Sequence, residues 1–178
     1  ITEAELKKSL KETKAKSHLL KKSKYVQADF EADKALVIAK YRSEGYRDAQ
    51  ILGDTIWRNN DGLMEMVVKV KEGEQYYFGD ITWKGNTVHT NDQLTRILGI
   101  RKGEIFNEEL LQSRLSFSID GRDVTSLYMD DGYLFFRVEP TEVSVVDNTI
   151  DLEMRIFEGP QATIDEVIIK GNTRTHEH

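Results

Sequence analysis

Between Ile150 and Ile156 apolar and charged residues take turns. Ile150, Leu152, Met154 and Ile156 fall on one side, Asp151, Glu153 and Arg155 on the other. A two-residue period of this kind predicts a strand with one buried face. Met64, Met66, Val68 and Val70 repeat the pattern earlier in the chain, and each of these strands has a neighbour upstream. Strands over about 133–145 and 149–158 are joined at Val-Asp-Asn-Thr (146–149), and strands over about 46–57 and 63–71 at Asn-Asn-Asp-Gly (59–62); both connections are turn signals. Helical spacing precedes each pair. Phe30, Leu36, Val37 and Ile38 predict a helix over roughly 28–44; Leu110, Leu111, Leu115, Leu127 and Tyr128 predict a longer one over roughly 107–130, with Asp120-Gly121 as a turn or break inside it. Gly45 and Gly132 stand where a helix ends on a left-handed residue. Thr2-x-x-Glu5 and Thr90-x-x-Gln93 read as capping boxes, each opening a further, shorter helix.

These elements recur in order. Lys-Gly-Asn-Thr occurs at 84–87 and again at 170–173, each time after an apolar strand. At an offset of about 86 residues, 68–87 falls on 154–173, sharing Glu-Gly, a short connector, a strand and Lys-Gly-Asn-Thr. At 87, Tyr41-x-x-x-Gly45-Tyr46 falls on Tyr128-x-x-x-Gly132-Tyr133, and at 88 the two capping boxes coincide. Fixed-period self-similarity of this sort is the mark of a tandem array. The repeated unit reads strand, helix, helix, strand, strand. Its first strand must cross over the helices to reach the sheet, which makes part of the sheet parallel. The expected fold is therefore α+β: tandem βααββ units, each a three-stranded mixed sheet with two helices on one face. Residues 1–75 read as a unit lacking its first strand, 76–160 as a complete unit, and 161–178 as the first strand of a third.

Composition narrows the chemistry. There is no cysteine among the 178 residues, hence no disulfide and no thiolate metal site. No segment approaches the ~20 apolar residues of a membrane-spanning helix, and the opening residues lack the apolar stretch of a signal peptide. Net charge is −6 and uneven: residues 1–24 hold eight Lys against three Glu, the remainder 17 basic against 28 acidic residues. The acidic bulk argues against a dedicated nucleic-acid surface. The Lys-rich stretch over 7–24 reads first as a solvated helix face and loop, with anionic lipid head groups or a protein as its other takers. The histidines, His18, His89, His176 and His178, supply no three-ligand set, so no metal and no cofactor is expected. Asp130-Asp131 decorate a helix end rather than form an acid–base pair, and no nucleophile elbow, Walker loop or dinucleotide fingerprint occurs. The chain does not read as an enzyme.

The apolar strand ending in Gly-Asn-Thr, the Tyr-x-x-x-Gly-Tyr joint and the Glu-Gly closing the last strand, all in register, resemble POTRA domains. These are the polypeptide-transport-associated repeats of BamA/YaeT-type outer-membrane β-barrel assembly proteins. The likeness spans essentially the whole chain, and "GRDVTSLYMDDGYLFF" (121–136) resembles the version in Bacteroidetes-type sequences. The resemblance implies a periplasmic scaffold ahead of a C-terminal outer-membrane barrel. Its implied partners are unfolded outer-membrane proteins and accessory lipoproteins, not nucleic acid. POTRA repeats of other secretion or import pores fit the same motifs. A rival of another class is a KH-like RNA-binding module, which mixes similar strands and helices but needs a Gly-x-x-Gly loop; Gly99-Ile-Arg-Lys-Gly103 is one residue too long. Salt separates the two, because nucleic-acid affinity falls steeply with it and strand addition hardly at all.

If the last strand of each unit is central, the strand after Gly-Tyr is an edge. Pro140 interrupts that strand in one copy, and Gly53 holds the equivalent place in the other; proline within a sheet is confined to edges and bulges. An edge offers unpaired N–H and C=O groups to an incoming strand, with affinity from the main chain. The expected contact residues are Asp48, Ala49, Gln50 and Ile51 in the first unit and Leu134, Phe135, Phe136, Arg137 and Val138 in the second. Ala49, Ile51, Leu134, Phe136 and Val138 are expected to face inward, and Asp48, Gln50, Phe135 and Arg137 outward.

Overall fold

The computed structural model describes residues 1–11, 13, 25–116 and 118–168. His18, the second Lys-Gly-Asn-Thr at 170–173, the terminal histidines and most of the Lys-rich stretch lie outside the described residues.

The first unit comprises α1 (Glu3–Ser9), α2 (Gln27–Ser43), β1 (Gln50–Arg58) and β2 (Met64–Lys71). The second comprises β3 (Tyr77–Lys84), α3 (Asn91–Leu98), α4 (Glu108–Leu115), α5 (Val124–Asp130), β4 (Arg137–Val146) and β5 (Thr149–Phe157). Both capping boxes form: the Thr2 and Thr90 hydroxyls accept from the Glu5 and Gln93 amides, and both acidic or amide side chains reach back to the cap. β1 and β2 make an antiparallel pair, while in the second unit the order is β3-β5-β4, with β5 parallel to β3 and antiparallel to β4. β5 is thus central and β4 an edge. The β4–β5 turn has Asp147 and Asn148 both at positive φ, +47° and +60°, the conformation of a two-residue hairpin turn whose twist matches the strands it joins.

Period-2 patterning delivers the core as read. Ile150, Leu152 and Met154 are buried beneath Leu94, Leu98, Leu111, Leu115, Val124 and Tyr128 from the three helices, with Phe78 and Trp83 from β3 alongside. The first unit has a smaller core, Val37, Tyr41 and Ala49, closed by Leu6, Leu10, Ile38 and Val70 among others.

Three expectations change. The long second helix of the complete unit is two, α4 and α5, so three helices cover its sheet rather than two. The break is built by Asp123, which is 2% exposed. Its carboxylate accepts from the Ser126 amide at 2.9 Å, capping α5, and from the Ser118 amide at 3.0 Å, holding the connector. The edge strands also begin later than the apolar pattern suggests. After each helix the chain makes the same tight turn: Arg47 N donates to Gly45 O and Ala49 N to Tyr46 O, as Leu134 N does to Gly132 O and Phe136 N to Tyr133 O. Finally, residues 158–168 form no strand, and Ile164, Val167 and Ile168 are exposed.

In both units the edge strand carries a register shift, between Ile51 and Gly53 in β1 and between Glu142 and Ser144 in β4. Each is a bulge in the sense of an extra residue on one strand. No helix among the described residues is long and apolar enough to cross a membrane.

Candidate functional site

Among the described residues β4 pairs on one side only. Pro140 lies opposite Met154 and has no N–H to give it, so position 140 is one whose main-chain groups face away from β5. By the two-residue period, Val138 and Glu142 face away too. The free edge therefore presents the main chain of Val138, Pro140 and Glu142. Clefts flank it on either side. One, of about 180 Å³, is lined by Arg137, Glu139, Arg155 and Phe157, with the Arg137 guanidinium 4.9 Å from the centre of the Phe157 ring. The other, of about 360 Å³, lies where the units meet and includes Arg42, Arg47, Phe106, Gln112, Pro140 and Glu142.

The expected contact residues divide. Arg137 and Val138 are on β4, Gln50 and Ile51 on β1. Leu134, Phe135 and Phe136 occupy the turn before β4, and Asp48 and Ala49 the matching turn before β1. Phe136 is buried, stacked 4.0 Å from Tyr128; Ala49 is buried, and Val138 packs on the core. Phe135 faces outward as expected, 63% exposed, but Leu134 is 56% exposed rather than inward. The turn rotates it out of the alternation that a strand would have imposed.

The three repeated motifs, which the sequence shows only as separate signatures, meet at one carboxylate. Glu158, of Glu158-Gly159, accepts from the Thr87 amide at 2.7 Å, the Val88 amide at 3.0 Å and the Tyr128 hydroxyl at 3.0 Å, and its second oxygen accepts from the Thr87 hydroxyl. Thr87 belongs to Lys-Gly-Asn-Thr and Tyr128 to Tyr-x-x-x-Gly-Tyr. Gly85 of the first motif is needed because the loop passes over β5 at φ +93°, where a Cβ would stand 2.3 Å from Ile156 O. Asn86 ties the loop forward, donating to His89 O and to the Asn91 side chain. Partial burial pushes the Glu158 pKa up, but the bonds from Thr87, Val88 and Tyr128 outweigh it and hold the carboxyl below its ordinary value. Burial and the Glu158 bond push Tyr128 far up in turn. In the first unit Glu72, of Glu72-Gly73, accepts from the Tyr41 hydroxyl at 2.8 Å, and Tyr41 is pushed up to about 12 by burial and that bond. The recurrence of Glu-Gly at 72–73 and 158–159 is the signal that finds this pair.

The loop 99–103, the RNA-binding rival's best feature, is turned back onto the sheet. Gly103 N donates to Phe78 O at 2.7 Å, and Lys102 pairs with Asp80 at 2.7 Å.

The POTRA family, described as "Surface antigen variable number repeat", matches residues 76–159. A protein of Treponema pallidum (strain Nichols), provisionally named an outer membrane protein assembly factor, is 27% identical over 99% of this chain and 21% of its own length. The outer membrane protein assembly factor BamA of Nitratidesulfovibrio vulgaris is 25% identical over 83% of this chain and 18% of its own. The chain thus spans about a fifth of the length of these curated relatives. The crystal structure of Haemophilus influenzae BamA POTRA3-5 superposes with a TM-score of 0.56 at 19% identity, covering 99% of this chain and 68% of that one. BamA from Haemophilus ducreyi lacking POTRA domains 1-3 gives 0.54 at 16%, covering 78% and 24%. Residues 76–159 thus match the POTRA family, within a chain similar over nearly all its length to a protein named as an outer membrane protein assembly factor.

Proposed function

We propose that the chain is a periplasmic POTRA scaffold of the outer-membrane β-barrel assembly machinery, a binding module rather than an enzyme, which takes unfolded barrel proteins and accessory lipoproteins by strand addition. Its place is the periplasmic portion of an outer-membrane protein. The observation that carries the binding mode is the free edge of β4, with the main chain of Val138, Pro140 and Glu142 directed away from β5. Main-chain pairing needs no fixed client sequence, which suits clients alike only in having amphipathic strands.

The test uses a fluorescent ten-residue peptide alternating Tyr or Val with Ser or Lys, titrated by anisotropy. Val138→Pro removes an outward donor without touching the β5 ladder, and it is expected to weaken binding more than Phe135→Ala. Hydrogen exchange across β5 confirms that the variant folds. Equal peptide binding by folded Val138→Pro and wild type would end the strand-addition reading. Binding that falls with a steep power of salt concentration would favour a nucleic-acid or lipid ligand instead.

A further inference from the structure

The junction between the units is made by a small set of contacts. Gln75 Nε2 donates to Glu44 O at 2.8 Å, and Tyr76 N donates to Gly45 O at 2.9 Å, clipping the connector to the turn that follows α2. From that turn two side chains reach the second unit. The Arg47 guanidinium lies 5.2 Å from the Tyr76 ring centre and 6.0 Å from that of Phe106, and pairs with Glu142 at 2.8 Å. Asp48 accepts from the Tyr76 hydroxyl at 2.8 Å.

The same clip occurs again at the far end of the second unit. Gln161 Nε2 donates to Asp131 O at 2.8 Å, and Ala162 N donates to Gly132 O at 2.8 Å. The repeat offset carries Gln75 to Gln161, Tyr76 to Ala162, Glu44 to Asp131 and Gly45 to Gly132. The closing glycines correspond as well: a Cβ on Gly73 would meet the Asp48 Cβ at 3.2 Å, and one on Gly159 the Phe135 Cβ at 3.1 Å. In this correspondence Arg47 becomes Leu134 and Asp48 becomes Phe135. The two residues whose side chains reach from the turn to the next unit at the first junction are therefore, at the second, the two large apolar side chains left exposed on the turn.

We infer that Leu134 and Phe135 are the seat of a further unit of the same kind, whose first strand follows Gln161. The occupant is a segment of this same polypeptide. Residues 164–173 carry Ile164, Val167 and Lys-Gly-Asn-Thr in the places of Phe78, Ile81 and 84–87. The chemistry of the seat changes from one junction to the other. At the first, Tyr76 is large, and Asp48 takes a hydrogen bond from it. At the second, Ala162 is small, and the bulk stands on the turn as Phe135. The first junction is polar and held partly by an exposed ion pair; the second is apolar.

The inference rests on the tandem-repeat reading but not on client binding, and its readouts are conformational. The parent polypeptide is prepared from Ile1 through the unit after Gln161 and compared with the 178-residue chain by hydrogen exchange. Amides of Leu134 and Phe135 are expected to exchange at least about tenfold more slowly in the longer chain. Leu134→Ser/Phe135→Ser in the longer chain should restore fast exchange and expand the particle in small-angle scattering. In the shorter chain the same substitutions should leave the unfolding midpoint unmoved. Molar salt should loosen only the first junction, and Arg47→Ala should abolish that salt response. Equal exchange at 134–135 in both chains, or a parent that holds no such unit after Gln161, overturns the inference. Retained peptide binding with a failed junction test would leave the scaffold reading standing alone.

Discussion

Replacing Glu158 by alanine tests whether one carboxylate joins three sequence motifs. The substitution strips four donors of their acceptor: the Thr87 and Val88 amides, the Thr87 hydroxyl and the Tyr128 hydroxyl. The first three lie on an exposed loop where water replaces the carboxylate, so each costs no more than about 0.5–1 kcal/mol. Tyr128 is fully buried, and leaving its hydroxyl unpaired costs about 1–3 kcal/mol. The expected loss for the second unit is therefore at most about 2.5–6 kcal/mol. Glu72→Ala should cost the first unit less, because among the described residues Glu72 holds only the Tyr41 hydroxyl. Urea unfolding followed by Trp83, whose indole donates to Thr95 at 2.9 Å, in a Trp57→Phe background, isolates the second unit. Adding Tyr128→Phe closes a double-mutant cycle, and the two changes should be strongly non-additive. The pH dependence has a definite sign. The Glu158 pKa is lowered in the fold from an ordinary value of 4.5, so its contribution is complete above that value and is lost as pH falls through the folded pKa. Glu158→Ala should flatten that part of the acid limb. A loss below about 1 kcal/mol, or full additivity with Tyr128→Phe, would refute the reasoning.

Asp123→Ala should cost about 2 kcal/mol, since it removes a cap and unpairs the Ser118 and Ser126 amides; faster exchange confined at first to α5 and the 118–123 connector is the confirming pattern. Alkaline titration at 295 nm should show Tyr41 ionising near pH 12, after the exposed tyrosines. Because that pKa is raised in the fold, the stability tied to it is intact below about 10 and fades as pH rises toward 12. Glu72→Gln should bring the Tyr41 transition down.

Much of this was legible in the residues, for identifiable reasons. A strand with one buried face writes its period directly into the chain, so β2 and β5 could be placed from Met64–Val70 and Ile150–Ile156. Capping is equally local, and Thr2 and Thr90 marked their helices within three residues. The α4–α5 split was only hinted at by Asp120-Gly121, because the residue that enforces it, Asp123, acts through burial and not through composition. The turn at Leu134 and Phe135 was hidden for the opposite reason: its residues are apolar and mimic a strand. The Glu158 cluster joins partners some 30 and 70 positions apart, a distance at which only the recurrence of Glu-Gly gives any sign. The first unit's edge was blurred by its bulge, which follows Ile51 and leaves Leu52 65% exposed.

The bulge in β4 also acts as a ruler. Six consecutive pairs, Arg137 to Glu142, run before the register slips, a straight run of about 20 Å at ~3.4 Å per residue. Along it only Val138 and Glu142 have outward N–H groups, Pro140 having none. Strands of outer-membrane barrels are about 9–11 residues long, so one that aligned here would overhang by several residues with few bonds gripping it. β1 is cut to the same measure, with a slip after Ile51 and then six consecutive pairs, Gly53 to Arg58. Under the strand addition proposed above, such an edge would measure out a short, weak hold and leave the remainder of the strand free for another site. Grip of that length would favour passing a chain along over keeping it.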